Sequence, residues 1–289
     1  MSDTISKTIG MIGLGLMGTA MTERLLAHGW QVRVWNRSRG KAAPLIAQGA
    51  VWSDDPIADC TRVIVSLYDS EAVREVVDSM QCHLRLGHII IDTTTGEPEQ
   101  SAALATRLAA LGVAYLDAPI SGSSEQTRCG EATVMVGGDP AAFAACADLW
   151  PILGGTVHRC GGSGSAARMK LITNLVLGLN RAVLAEGLAF AEAIGVEPAA
   201  ALAVLQAGNA YSRAMDVKGR KMIARDYTPQ ARLSQHLKDL HLMLHSAAQH
   251  GMELPLVQTH RLLLEKAERL GLGDLDNCAV LEVLRPARG

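Results

Sequence analysis

Residues 13–18 read Gly13-Leu14-Gly15-Leu16-Met17-Gly18, and what flanks this G-x-G-x-x-G run constrains the fold more than any other feature of the chain. The apolar stretch 9–13 reads as a buried strand. Residues 17–28 read as a helix, closed by Gly29 at a C-cap position. A glycine turn between a strand and a helix has a physical use. The first glycine permits a tight turn, the second lets the backbone approach a pyrophosphate, and the third lets helix and strand pack closely. The helix start then offers unpaired N–H groups and partial positive charge to the phosphates. Spacing alone would also fit a turn with no ligand; the strand-to-helix setting is what favours a dinucleotide.

The alternation continues along the first half. Residues 31–35, 62–67, 87–92 and 113–117 read as further strands, with helical stretches near 38–48, 70–80 and 98–111. Two more strands are expected at 133–136 and 156–160, separated by a helix near 140–149. Strands alternating with helices imply a parallel sheet covered on both faces. The character changes after the glycine-rich stretch 160–164. One helical pattern runs from 165 to about 194, a length of roughly 45 Å. Gly195 stops it and Pro198 opens the next element. Helices are then expected near 198–207, 211–225, 231–250, 255–270 and 277–284. The expected class is therefore α/β. A Rossmann domain with a doubly wound, mostly parallel sheet covers 1–163. An all-α domain covers 164–289, joined through the long helix.

Composition narrows the function classes. Lys and Arg number 27 against 29 Asp and Glu, so the basic excess of a nucleic-acid binder is missing. The 6 cysteines form no C-x-x-C pair, which argues for free thiols in a reducing compartment over a zinc or redox centre. His241 and His245 have the i, i+4 spacing of metal ligands, but no third ligand accompanies them, so a helix surface is the expectation. The N-terminus carries no apolar signal core, and polar residues interrupt the long helix. The expectations are a cytoplasmic protein with no metal, no nucleic-acid partner and no membrane partner.

The end of the second strand bears on the cofactor. NAD enzymes usually place Asp or Glu there to hold the ribose 2′-hydroxyl. This chain has Asn36, Arg37 and Ser38, followed by Arg39 and Lys41. No carboxylate is present to repel a 2′-phosphate, and Arg37 can pair with one or lie on the adenine face. NADP(H) is therefore expected.

Three further segments complete a pattern. Asp117-Ala118-Pro119-Ile120-Ser121-Gly122 closes the fifth strand, residues 164–174 (GSAARMKLITN) open the long helix, and Leu237-Lys238-Asp239-Leu240 lies in a later helix. With the glycine turn, these resemble the four signatures of the β-hydroxyacid dehydrogenase family, over about residues 8 to 245. That family includes 3-hydroxyisobutyrate dehydrogenases, tartronate semialdehyde reductases and glyoxylate or succinic semialdehyde reductases. The resemblance implies that Lys170 is the catalytic lysine, Asn174 its partner, and Ser121 and Gly122 the substrate anchor. It also implies that Thr95 faces the nicotinamide ribose and that Lys238 reaches the cofactor from the helical domain.

The residues read on their own agree with this. Lys170 and Asn174 are four apart and share a helix face. A lysine beside a hydride-transfer site can give a proton to the substrate oxygen. Ser121 and the N–H groups near Gly122 and Ser123 form a turn suited to a carboxylate. Leu67 ends the third strand and is expected against the cofactor; Asp239 is assigned to helix support. Ser123, Thr127, Ala132 and Ala166 depart from the family pattern on the substrate side. Arg128 either adds charge near the pocket or is solvated. The expected activity is interconversion of a small carboxylate-bearing β-hydroxyacid and its semialdehyde or keto acid, by a homodimer or homotetramer. Two alternatives stay open: an imine reductase of the same architecture, and a catalytically silent dinucleotide-binding module.

Overall fold

A computed structural model describes residues 7–285. The chain forms strands β1 (Thr8–Ile12), β2 (Gln31–Trp35), β3 (Val51–Trp52), β4 (Arg62–Val65), β5 (Ile89–Asp92), β6 (Ala114–Asp117), β7 (Ile120–Ser121), β8 (Thr133–Gly138) and β9 (Thr156–Gly161). They make one sheet in the order β3-β2-β1-β4-β5-β6-β8-β7, with β9 alongside β8. Pairing is parallel from β3 through β6. It turns antiparallel where β8 meets β6 and β7. The mostly parallel sheet and the helical second half are those expected. The two-residue strands β3 and β7 were not, being too short to show a period-2 pattern.

Both faces of the sheet are apolar because successive side chains point opposite ways. Ile64, Ile89 and Ile91 join Met21 and Leu25 of helix α1 (Leu16–Ala27) on one side. Val63, Val65 and Ile90 join Val73 and Val77 of α2 (Ser70–Ser79) and Leu104 and Leu108 of α3 (Pro98–Ala109) on the other. Each such side chain contributes roughly 1.5–3 kcal/mol where it is fully buried. The helix expected near 38–48 is instead a short 3-10 turn, Arg39–Ala42, running into Ala43–Ile46. The helix expected near 140–149 stops at Ala145.

The chain divides into two compact units, the first ending at Lys170 and the second beginning at Leu171. The expected boundary at 163/164 falls at the turn before the long helix α5 (Ser165–Ala193), so the division lies within that helix. The second unit adds α6 (Pro198–Ala207), α7 (Leu233–Gln249) and α8 (Pro255–Arg269). Leu184, Leu188, Leu202, Leu240, Met243, Val257 and Leu264 form its core. The stretch expected as one helix over 211–225 contains a π turn, Met215–Gly219, followed by Arg220–Ala224. That π turn carries Lys218, whose ammonium binds both oxygens of fully buried Asp276 at 2.8 and 2.9 Å.

Candidate active site

The glycine turn has the shape that a pyrophosphate needs. Gly13 sits at φ 98°, and a Cβ there would collide with the backbone oxygen of Ser66. A Cβ at Gly18 would strike the carbonyl of Gly13, which fixes how closely α1 approaches β1. Gly15 differs: a Cβ would meet nothing within 4 Å, so the space above it is open. Gly15 is also the N-cap of α1; no side chain caps this end and no acidic residue lies in the first turn. The free N–H groups of Leu16, Met17 and Gly18 and the helix dipole are thus left for an anion. Asn36 acts from the end of β2 by accepting the Leu14 N–H at 2.9 Å and donating to the Ser38 carbonyl at 3.1 Å. Its side chain shapes the turn. Arg37 and Ser38 are exposed beyond it, and among the described residues Arg37 has no ion-pair partner. Arg39 lies over the Trp52 ring at 4.9 Å.

A second loop approaches from the ends of β4 and β5. Leu67 donates its N–H to Thr94 Oγ1 at 3.0 Å, and its side chain lies beside Gly13. Asp92 is the anchor of this loop. Its Oδ1 accepts the Thr94 N–H at 2.9 Å and its Oδ2 accepts the Tyr115 hydroxyl at 2.6 Å. Burial pushes the Asp92 carboxyl up to about 6, although the bonds from Tyr115 and Thr94 work the other way. Ser70, at the start of α2, accepts the Glu97 N–H at 2.8 Å and closes the loop on its far side. Thr95, half-buried, is thereby held between two fixed points.

Asp117 sets the position of Lys170. At the end of β6 it is 2% exposed and accepts backbone N–H groups from Gly164, Ala166 and Ala167 at 2.8, 2.9 and 3.0 Å. It caps the start of α5 from a strand far away in sequence. Burial raises its carboxyl and those three donors oppose the shift. With the helix start pinned, Lys170 in the second turn is 7% exposed and donates to the Ile120 carbonyl at 2.6 Å. A solvated surface lysine is therefore not what this residue is.

The neighbouring turn modifies one expectation. Ser123 was expected to help bind substrate, but its N–H goes to Gln126 Oε1 at 2.9 Å and its hydroxyl accepts the Gln126 N–H at 3.2 Å. This is a capping box for α4 (Ser124–Cys129), which takes up the Ser123 N–H and one acceptor site of its hydroxyl. Gly122, at φ 154°, sits against Ala132. Among the described residues the half-exposed Ser121 hydroxyl has no hydrogen-bond partner, so Ser121 and Gly122 are the members of the trio suited to an anion. Arg128 is taken up by Glu23 of α1 at 2.6 Å and by Glu125 at 3.4 Å, which makes it a tie between two helices.

In the second unit, Asn174 stands one turn beyond Lys170 on α5. It is buried and donates through Nδ2 to Asp239 Oδ2 at 2.9 Å. Asp239 was expected only to support its own helix; it reaches across to α5 and fixes the Asn174 amide. Lys238 Nζ lies 3.3 Å from Asp239 Oδ1, with 14% of its side chain exposed. His241 and His245 are on the surface of α7.

The open turn and helix start fit the pyrophosphate of a dinucleotide. Known proteins supply the class. The family model described as the NAD binding domain of 6-phosphogluconate dehydrogenase matches residues 8–162. The one described as the NAD-binding of NADP-dependent 3-hydroxyisobutyrate dehydrogenase matches 164–284. Glyoxylate/succinic semialdehyde reductase 1 of Arabidopsis thaliana is 31% identical over 97% of this chain and 99% of its own length. 2-Hydroxy-3-oxopropionate reductase of Escherichia coli K12 is 32% identical over 96% of each. The solved structure of Psf3 in complex with NADP+ and 2-OPP is similar, with a TM-score of 0.88, at 28% identity over 96% of this chain and 99% of that one. The chain belongs to the β-hydroxyacid dehydrogenase family. It is an NAD(P)-dependent oxidoreductase acting on CH–OH groups.

Proposed function

We propose that the protein uses NADP(H) to interconvert a small β-hydroxyacid and its semialdehyde or keto acid, with Lys170 as the proton donor. The observation that carries this reading is the buried Lys170 ammonium, aimed at the Ile120 carbonyl immediately before Ser121 and Gly122. When bound, the reduced nicotinamide supplies a hydride to the carbonyl carbon. Lys170 supplies the proton to the carbonyl oxygen, so the hydride and proton together give the alcohol. Its ammonium also stabilises the negative charge that develops on that oxygen. The Ser121 hydroxyl and the Gly122 N–H hold the substrate carboxylate, and Asn174 binds beside Lys170 on the same helix. Leu67, Thr95 and Lys238 serve the cofactor.

Support for NADP(H) over NAD(H) comes from the loop after β2, where 36–41 holds Arg37, Arg39 and Lys41 and no carboxylate. The names of both relatives cited above point to small aldehyde acids, which favours a carbonyl over an imine substrate. A second copy of the chain is the proposed partner. Ile172, Val176, Val183 and Phe190 leave an apolar stripe exposed along α5, continued by Ile194 just past its end, at 52–67% of their full area. A monomeric mass by light scattering would remove that assignment. The activity is tested by NADPH oxidation with glyoxylate, succinic semialdehyde and tartronate semialdehyde, and with cyclic imines as the contrasting class. Turnover of an aldehyde acid that Lys170→Ala abolishes is expected. NADPH binding with no turnover of any of them would support a silent module instead.

A further inference from the structure

Tyr115 stands two residues before Asp117 on β6, in register with Ile90 of β5. Its ring belongs to the apolar layer that lies against α2 and α3. That layer needs only a ring, and a phenylalanine would supply one. The hydroxyl is a separate matter, because a polar group buried in a core costs stability unless it is paired. Tyr115 is 4% exposed, and its hydroxyl reaches diagonally from β6 to the end of β5, where it donates to Asp92 Oδ2 at 2.6 Å. Burial, with the Asp92 carboxyl beside it, pushes the phenol well above its usual range, so it stays a donor.

The bonds continue beyond Asp92. Its Oδ1 accepts the Thr94 N–H at 2.9 Å, and Thr94 Oγ1 accepts the Leu67 N–H at 3.0 Å. A hydroxyl that accepts still has its own proton to give, and the Asp92 carboxyl is the acceptor beside it. Leu67 in turn lies against Gly13 of the glycine turn. One series of contacts thus runs from β6, across the ends of β5 and β4, to the wall of the cofactor cleft. Packing does not hold this series from behind. Asp92 and Tyr115 border a cavity of about 320 Å³, walled by Val73 of α2 and Leu104 of α3. Atoms that face a gap lose their dispersion contacts, so the orientation of the carboxyl depends on its hydrogen bonds.

We propose that Tyr115 is a positioning residue, whose hydroxyl orients Asp92 so that Thr94 and Leu67 hold the two loops at the nicotinamide end of the cofactor cleft in one arrangement. This rests on the assignment of Leu67 and Thr95 to that end of the cofactor. Tyr115 touches neither cofactor nor substrate in this scheme; it acts through Asp92.

The test uses the full-length protein and the variants Tyr115→Phe, Thr94→Val and the two together. Binding of NADPH is compared with binding of 2′,5′-ADP, which carries the 2′-phosphate and lacks the nicotinamide riboside. Tyr115→Phe keeps the ring and should keep the Tm of the parent within about 2 °C, as for a change that leaves the core filled. It should raise the NADPH Kd roughly fivefold and lower kcat on the best aldehyde acid roughly tenfold, within the range of coupling inside a hydrogen-bonded network. The 2′,5′-ADP Kd should stay within about twofold, because a member of such a network affects chiefly the groups it contacts. Thr94→Val should show the same pattern, and the double variant should be less than about twofold worse than Thr94→Val alone. Parental kcat and NADPH Kd in Tyr115→Phe overturn the inference. So does equal weakening of NADPH and 2′,5′-ADP, or a double variant whose loss is the product of the two single losses. Should Tyr115→Phe fail to fold, parental values in Thr94→Val overturn it. The binding comparisons need no turnover, so a parent that reduces no aldehyde acid overturns the proposed reaction and leaves these comparisons to decide the role of Tyr115.

Discussion

Replacing Asp117 should unsettle both stability and turnover, and the structure sets the size. Its carboxylate receives three backbone N–H groups at 2.8–3.0 Å, all from the start of α5. Hydrogen bonds to a charged acceptor contribute about 1.5–3 kcal/mol each, and a buried donor left unpaired costs about 1–3 kcal/mol. The helix dipole adds up to about 2 kcal/mol in a partly buried setting. Against this stands the burial of the charge itself, which is strong enough to raise the Asp117 carboxyl despite its donors. Asp117→Asn keeps one acceptor and turns an NH2 toward N–H groups it cannot accept. The net loss should be about 2–4 kcal/mol, below the sum of the bonds because burial relief offsets part of it. Urea denaturation followed by circular dichroism should show the transition of the dinucleotide unit at lower urea. Because Lys170 stands in the second turn of the same helix, kcat should fall more than NADPH affinity. A variant within about 0.5 kcal/mol of the parent, the range of neutral surface changes, would refute the capping role.

Two further outcomes follow from the site. Asp92 has a carboxyl raised to about 6 in the folded chain, so the stability it contributes is complete at low pH and is lost as pH rises through that value. Asp92→Asn should therefore flatten the decline in urea midpoint between roughly pH 4 and 6, and an unchanged slope would count against burial as the cause. Arg37→Ala should raise the NADPH KM at least about tenfold, the worth of one or two charge-assisted bonds to a phosphate, and the NADH KM far less. Equal effects on the two cofactors would remove Arg37 as the selector.

What was legible in the sequence follows from how local each signal is. The Gly13–Gly18 turn is read within six residues, and its glycines behave as their types require. The longer strands show in apolar runs that need no knowledge of their neighbours. Asp117 could not be read this way. It closes a strand, yet the groups it serves begin at Gly164, and nothing in local spacing joins them. The bond from Asn174 to Asp239 is of the same kind, a meeting of two helices whose positions are set by core packing. Arg181 looked like an interruption of an apolar helix, and only the packed structure shows that it is buried. Ser123 is a different case. Ser123 and Gln126 have the S-x-x-Q spacing of a capping box, so the commitment of Ser123 was open to reading from the sequence.

The account depends most on the Lys170 ammonium acting in turnover rather than as structural support. Single-turnover oxidation of bound NADPH by Lys170→Ala, mixed with the aldehyde acid that the parent reduces fastest, tests this directly. Loss of a general acid of this kind predicts a rate down by about 10²–10⁴-fold with NADPH affinity unchanged. A rate equal to that of the parent would contradict it.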